Sequence, residues 1–320
     1  MSSGSEKIAA QMQAPTTLGK FGLSSDWLIN GYPDLLSYEW WGGPGGLFPI
    51  GVFMTLHAVR IAYDVRKVID QTGRTNIFQE VFCMLAFSFG GTIITALMLG
   101  RPQPILESNL LIPVYAGAYI LMSRLPGDGL YRLCRMTSPL SDVLLATVDG
   151  LLRGYGVTAS GVDMVRLTLA GTPISNSLVG WIAIGTIGGC GGGIIDDFIQ
   201  ISKPQWGLRT PTMFRNPSFD FLICLGTTLS YIITTRIWKF SERLPDFPFS
   251  NLVDWIIDFA PHFSVEEARV VCSLVCAVLL GYRGYTSALK FNAQEKAKAK
   301  LAASKKDDDL SEKEESSKDS

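Results

Sequence analysis

Seven long apolar segments, separated by short polar connections, dominate the pattern of this chain. A helix of about 20 mainly apolar residues is long enough to cross the hydrocarbon core of a bilayer. Such a segment stays helical there because an unpaired backbone group is costly in lipid. The pattern therefore predicts an all-α integral membrane protein with seven transmembrane helices. The predicted spans cover residues 47–65, 80–99, 106–125, 139–157, 177–198, 219–238 and 270–289.

Basic residues are concentrated in every second connection, which predicts the orientation of the helices. Lysine and arginine are enriched on the cytoplasmic side of a membrane, so the connections after the first, third and fifth spans, and the segment after the seventh, are expected to be cytoplasmic. An odd number of spans then places the N-terminus in the lumen and the C-terminus in the cytoplasm. The bases that carry this bias ahead of the tail are Arg66, Lys67, Arg74, Arg124, Arg132, Arg135, Lys203, Arg209 and Arg215.

An internal repeat relates the second and fifth spans. Gly90-Gly91 is followed by Arg101-Pro102-Gln103, and Gly192-Gly193 is followed at the same distance by Lys203-Pro204-Gln205. Each copy lies in the middle helix of a three-span block, and because three is odd the second copy enters from the opposite face. The sequence thus predicts two inverted three-helix repeats plus a seventh helix. In such a plan, glycine-interrupted helices at corresponding positions point to the transport site.

The repeat divides the chain into a lead, a transmembrane domain and a tail. The tail is rich in lysine and alanine and then in acidic residues and serine, so it cannot bury a core and is expected to be disordered. The predicted parts are a lumenal lead at 1–43, a transmembrane domain at 44–289 (repeats at about 44–125 and 136–238, seventh helix at about 265–289), and a disordered cytoplasmic tail at 290–320.

Composition and charge exclude several functions. Of the 320 residues, 47% are hydrophobic and 18% are charged, and the formal net charge of −1 offers no basic field for nucleic acid. The six cysteines and two histidines form no metal-ligand pattern, and the sequence contains no catalytic constellation and no phosphate-binding loop with its basic anchor. We therefore expect no catalytic residue, no metal, no cofactor and no enzyme activity.

The glycine-rich stretch of the fifth span, with its counterpart in the second, is the leading candidate for a functional site. Glycine is unfavourable in an ordinary helix, but small residues in a membrane helix let another backbone come close. Two interpretations follow, pore lining and close helix packing, and the repeat favours pore lining. The candidate glycines are Gly90, Gly91, Gly188, Gly189, Gly191, Gly192 and Gly193.

Charged residues inside the predicted spans form the second group of candidates. A charge at the centre of a membrane helix costs roughly 3 kcal/mol on insertion scales and usually faces a cavity or a partner. Asp149 and Arg153 are four residues apart and share one helical face, so they are interpreted as a gate or as a self-neutralised structural pair. The Asp196-Asp197 pair at the end of the fifth span is a further pore or gating candidate, and access to water alone is the alternative. Arg60 and Asp64 have the same spacing and are interpreted as a pair at the cytoplasmic interface.

Three stretches resemble the trimeric intracellular cation (TRIC) channel family. The segment FCMLAFSFGGTIITALMLG (82–100) is similar to that family's second span, RLPGDGLYR (124–132) to the end of its third span and the turn that follows, and GGCGGGIIDDF (188–198) to its fifth span. The resemblance covers about residues 45–240. It implies a homotrimer in the endoplasmic reticulum or nuclear membrane with one pore per protomer. It also implies conduction of potassium ions that balances charge during calcium release.

The fourth span departs from this family where the resemblance implies lipid binding. The family's lysine and acid correspond here to Val148 and Asp149, so Arg153 is the nearby base and the candidate for binding an anionic lipid or phosphoinositide. Two alternatives to a channel remain open. One is a secondary transporter or solute carrier, because inverted repeats also suit alternating access, and the other is a non-conducting membrane scaffold.

Overall fold

The computed structural model describes the backbone of residues 26–39, 50–243 and 246–318, and the secondary structure of this part of the chain is helical, with one isolated β-bridge between Glu39 and Gly51. The all-α prediction is confirmed over these residues. A helix over Leu140–Tyr155 continues without a break into a wider, π-helical segment, Gly156–Thr168. The helices are α1 (Asp26–Leu36), α2 (Val52–Thr72), α3 (Ile77–Leu99), α4 (Pro104–Glu107), α5 (Leu111–Arg124), α6 (Gly129–Met136), α7 (Leu140–Tyr155), α8 (Leu178–Ile199), α9 (Phe219–Thr235), α10 (Phe240–Arg243), α11 (Ser250–Asp258) and α12 (Val265–Lys318).

Each of the seven predicted spans overlaps one long helix, and α3 and α8 are the most apolar of them. At 23 and 22 residues these two are long and apolar enough to cross a membrane, and α9 is a shorter apolar helix. Polar caps fix where the three helices begin, because Asn76, Ser177 and Ser218 each accept a hydrogen bond from the backbone N–H three residues later. Gly100 and Gln200 end α3 and α8 in the left-handed conformation, with φ of 61° and 59°.

The boundaries of several spans differ from the sequence prediction. α2 ends at residue 72 rather than 65, so Arg66 and Lys67 lie inside the helix and not in a connection. Both bases pair with carboxylates, those of Asp70 and Asp142, which allows the helix to continue through a polar stretch. α5 begins at residue 111 rather than 106, and the fourth span extends to residue 168 through its π-helical part. The predicted start of the first span, 47–49, lies outside the described residues.

Described residues of the predicted lead and tail are helical. α12 continues to Lys318, through the tail for which disorder was predicted. Alanine, lysine, glutamate and leucine are strong helix formers, and they are frequent after residue 290, so the last helix extends without a break. α1 lies within the predicted irregular lead. The domain limits themselves stay predictions.

The two largest hydrophobic cores of the described residues draw on different helices. The first combines α2, α3 and α5 with α6, and the second combines the π-helical segment, α8 and α9 with the start of α12. Whether these groups are inverted repeats stays a prediction. Large buried side chains are Tyr63, Met84 and Tyr119 in the first core and Trp181, Tyr231 and Trp238 in the second.

Candidate functional site

A cavity of about 380 Å³ opens between α2, α7, α8, α9 and α12. Its wall is highly charged for a bundle of apolar helices, in which a charge usually faces a cavity or a partner. We name it the charged cavity. The charged residues that line it are Arg60, Asp64, Lys67, Asp142, Asp149, Arg153, Asp220 and Arg283.

Arg153 joins three helices at this cavity. Its Nη2 donates to the Asp149 carboxylate at 2.8 Å within α7, and its Nη1 donates to Asp220 of α9 at 2.9 Å. Asp220 also pairs with Arg283 of α12. The predicted contact between Asp149 and Arg153 is therefore present, and the tertiary structure extends it to α9 and α12. Whether the pair is a gate or a structural pair stays a prediction.

A second group of ion pairs links α2 to the start of α7. Lys67 Nζ lies 2.9 Å from Asp64 and 2.8 Å from the buried Asp142 carboxylate. Asp64 also pairs with Arg60 one turn earlier. The predicted pair of Arg60 and Asp64 forms, and it faces the charged cavity.

The charges of the cavity wall balance. Four bases meet four acids, and each ion pair offsets the cost of placing a charge among apolar helices. A cation that enters can replace a basic side chain at a carboxylate, so this arrangement can bind and release ions without covalent chemistry. Polar contacts also connect Asp149 to α2 and α5. His57 Nε2 of α2 lies 3.6 Å from the Asp149 carboxylate, and His57 Nδ1 lies 2.7 Å from the Tyr115 hydroxyl of α5.

An apolar contact forms the floor of the charged cavity beside Arg153. Gly189 lines the wall, and a Cβ at this position would lie 2.6 Å from both Val157 Cγ2 and Cys224 Sγ. The side chains of Val157 and Cys224 are buried, at 1% and 0% exposure. With Cys190 they form a small separate core. We name these four residues the floor.

The candidate glycines divide between the cavity wall and a helix crossing. A Cβ at Gly90 would lie 2.7 Å from Gly192 Cα, and one at Gly91 would collide with the Gly188 carbonyl, so α3 and α8 approach backbone to backbone. Gly191 faces Gly91 in the same crossing. The candidate glycines that line the charged cavity are Gly189, Gly192 and Gly193. The repeated glycine pairs thus meet each other, and Gly90, Gly91, Gly188 and Gly191 lie in the crossing and not in the cavity wall.

Asp196 and Asp197 hold the connection that follows α8. Asp197 accepts hydrogen bonds from Arg209 at 2.6 Å, the Thr212 hydroxyl at 2.8 Å and the Met213 backbone N–H at 3.0 Å. Asp196 accepts from a backbone N–H in the same connection. Both line a second cavity of about 210 Å³, which shares two wall residues with the charged cavity.

A separate ion cluster lies toward the other end of α9. Asp163, in the π-helical segment, is 2.8 Å from Arg166 and 2.7 Å from Arg269 of α12, and it accepts a hydrogen bond from the Tyr231 hydroxyl. Tyr231 is eleven residues after Asp220, which places the two clusters roughly 16 Å apart along α9 at 1.5 Å per residue. The floor lies between them in the bundle, since Cys224 belongs to the same helix.

Sequence reasoning missed half of the charged residues in the cavity wall. Lys67 was assigned to a connection, and Asp142 lies at the start of a span whose limits were uncertain from the pattern. Asp220 looked like an ordinary acid in the first turn of a helix. Arg283 was the detectable signal, because a base in the middle of the last apolar run calls for a partner.

Comparison with known proteins confirms the resemblance to TRIC channels. The chain is 25% identical over 176 residues to the trimeric intracellular cation channel type B of Danio rerio, a match that spans 53% of this chain and 58% of that relative. A solved structure described as a basis for the activity of TRIC counter-ion channels in calcium release aligns with a TM-score of 0.55 and 17% identity, over 74% of this chain and 93% of the other. No family model matches the chain. The fold is therefore that of a TRIC channel.

Proposed function

We propose that this chain, as a relative of the TRIC channels, is a cation channel whose permeation route includes the charged cavity. Seven helical segments would cross the membrane: α2, α3, α5, α7 with its π-helical extension, α8, α9 and α12. The N-terminus would be lumenal and the C-terminus cytoplasmic. The proposal further includes a homotrimer in the endoplasmic reticulum or nuclear membrane, with one pore in each protomer. Its cargo would be potassium, as counter-ion for calcium release.

The observation that carries the proposal is the set of paired charges inside an apolar helix bundle. Charges at such positions are costly and mark ion pathways in membrane proteins. The carboxylates of Asp149 and Asp220 both face Arg153, so a cation that reaches them must displace its guanidinium group. Because the acids and bases of the wall balance, the two carboxylates can favour a cation only after Arg153 has moved away from them.

We further propose that this structure is the closed conformation of the channel, and that the floor is the contact that closes it. Val157 and Cys224 pack against Gly189 beside Arg153, and with Cys190 they form a small buried core. Hydrophobic constrictions gate channels by excluding water. We infer that opening separates the π-helical segment from α8 at this contact, and that Arg153 moves with α7.

Single-channel recording tests the proposal. The full-length protein is reconstituted into planar bilayers and recorded under potassium and sodium gradients. Discrete current steps with a reversal potential set by potassium support the channel. Slow, saturable flux of one solute without steps would indicate the transporter alternative, which the inverted repeats also suit. No flux by either route would support a scaffold.

A substitution in the floor sharpens this test. Val157→Ala removes two methyl groups from the contact with Gly189, so we expect a higher open probability than in the unchanged protein. Val179→Ala is the matched control, because Val179 lies in α8 but is 77% exposed and away from the cavity. An unchanged open probability in Val157→Ala, in a protein that assembles normally, would remove the floor from the mechanism.

The proposal also includes binding of an anionic lipid or phosphoinositide at Arg153. Two nitrogens of its guanidinium group already donate to Asp149 and Asp220. A phosphoinositide headgroup at this site would have to compete with both carboxylates for Arg153. Because Arg153 moves with α7 on opening, we expect the lipid to bind the open conformation.

A further inference from the structure

The connection between α9 and α12 contains a helix, α11, whose apolar face points away from the rest of the described chain. Leu252, Trp255, Ile256 and Phe259 recur at the i, i+3, i+4, i+7 spacing of one helical face. Their side chains are 51%, 59%, 57% and 73% exposed, respectively. A contiguous exposed apolar surface of this kind marks an interaction site.

The opposite side of α11 is the side that faces the protein. Ser250 is buried, and Val253 and Ile257 are partly buried. Asn251 and Asp258 are exposed and occupy the flank between the two faces. The helix therefore has Ser250 and the partly buried Asp254 on the inner side with two aliphatic residues, and both of its large aromatic residues on the outer side. A helix that packs on a core in water has its largest apolar residues inward.

Two hydrogen bonds fix α11 and the segment that follows it to the C-terminal end of α9. Arg236, the first residue after α9, donates from Nη2 to the Asp258 carbonyl at 3.0 Å. The Phe263 backbone N–H donates to the Thr234 carbonyl in the last turn of α9, also at 3.0 Å. These contacts lie at the C-terminal end of α9 and next to the N-terminal end of α12. α11 therefore lies at the same end of the bundle as these two helix termini.

We propose that α11 lies flat on the protein's own bilayer, with its apolar face inserted at the boundary between headgroups and acyl chains. Tryptophan is enriched at this depth, and the rings of Trp255 and Phe259 already pack against each other with centroids 4.7 Å apart. Amphipathic helices with an apolar face of this kind lie in the plane of the interface.

The charge of the segment identifies the lipid surface as zwitterionic. Residues 244–264 contain no lysine or arginine and include Asp246, Asp254 and Asp258. Basic amphipathic helices use anionic lipid for attraction, whereas this segment is acidic, so its binding energy must come from apolar contact. The inference rests on the chain being a membrane protein and not on ion conduction.

Depth measurement with spin labels tests the proposal. A nitroxide is attached at Ile256→Cys, and at Asn251→Cys as the matched control on the flank of the same helix, both in the full chain with Cys134→Ser as background. The five other cysteines are buried. The protein is placed in phosphatidylcholine vesicles, and collision with oxygen, which concentrates in lipid, is compared with collision with a water-soluble nickel complex.

We expect the ratio of oxygen to nickel accessibility to be several-fold higher at position 256 than at 251, and unchanged when phosphatidylserine is added or the salt concentration is raised. Equal nickel accessibility at the two positions would mean that α11 is in water, and it would overturn the proposal. Low accessibility to both reagents at 256 would place the face in a contact with another protomer and would also overturn it. Neither outcome depends on whether the protein conducts ions.

Discussion

Removal of Arg153 should destabilise the protein more than removal of its predicted partner Asp149, although the two form one ion pair. In Arg153→Gln, Asp149 keeps no arginine or lysine partner among the described residues and has only His57 Nε2 at 3.6 Å, while Asp220 keeps Arg283. In Asp149→Asn, Arg153 keeps Asp220 at 2.9 Å. The asymmetry follows from a tertiary contact, because on the helix itself the pair is symmetric.

The magnitudes follow from burial. The Arg153 side chain is 16% exposed and that of Asp149 is 7% exposed, so solvent screens the pair weakly. Loss of one partner from a buried ion pair costs about 3–5 kcal/mol, which is the range we expect for Arg153→Gln. Asparagine retains a hydrogen-bond acceptor for Arg153, so we expect about 1–2 kcal/mol for Asp149→Asn. Arg74→Gln is the matched control, because Arg74 pairs with Asp128 at the surface and should contribute at most about 1 kcal/mol.

The assay is reversible unfolding of the purified protein in mixed micelles by titration with a denaturing detergent, followed by tryptophan fluorescence and circular dichroism. A double-mutant cycle with Asp149→Asn and Arg153→Gln should give a coupling free energy of about 1–3 kcal/mol. The reasoning is refuted if Asp149→Asn costs as much as Arg153→Gln, or if the coupling is zero. Single-channel recording of the double variant distinguishes a gate from a structural pair. Currents equal to those of the unchanged protein would show that Asp149 and Arg153 form a structural pair and not a gate.

Two further substitutions test other contacts. Gly91→Ala places a Cβ 2.9 Å from the Ile187 carbonyl oxygen and should cost about 1–3 kcal/mol of unfolding free energy by overpacking the crossing of α3 and α8. Gly117→Ala, with no atom within 4 Å of its Cβ, is the control and should change little; equal stability of the two variants would contradict the close crossing. Lys67→Met leaves the buried Asp142 without its ion partner and should cost about 3–5 kcal/mol in the same assay. Adding Asp142→Asn should recover most of this loss, and no recovery would show that the ion pair is not the cause.

The glycine pairs show where sequence reasoning reached its limit. The constant spacing of Gly90-Gly91 and Gly192-Gly193 correctly singled out two helices that act together, because small residues at matched positions are rare by chance in apolar runs. Close packing of these glycines is present at the crossing, three of the candidates also line the charged cavity, and pore lining stays a prediction. A one-dimensional pattern cannot separate them, since consecutive residues of a helix differ in direction by about 100°.

The sequence by itself determined the helical class of the described residues, the approximate positions of the long apolar helices and two ion pairs, Asp149–Arg153 and Arg60–Asp64. Apolar runs near 20 residues specify helices because lipid provides no hydrogen-bond partner for the backbone, and the i, i+4 spacing places Asp149 and Arg153 on one face. Both effects are local, so the order of residues is sufficient to predict them.

Only the tertiary structure decided what those residues face. Asp220 reaches Arg153 from 67 residues away along the chain, and Lys67 reaches Asp142 from 75 residues away. Arg283, on a third helix, pairs with Asp220 in turn. Such contacts depend on how the two repeats pack and on the close approach that glycine permits at the crossing of α3 and α8. The charged cavity is therefore a product of packing, because it forms from charges whose partners lie on different helices.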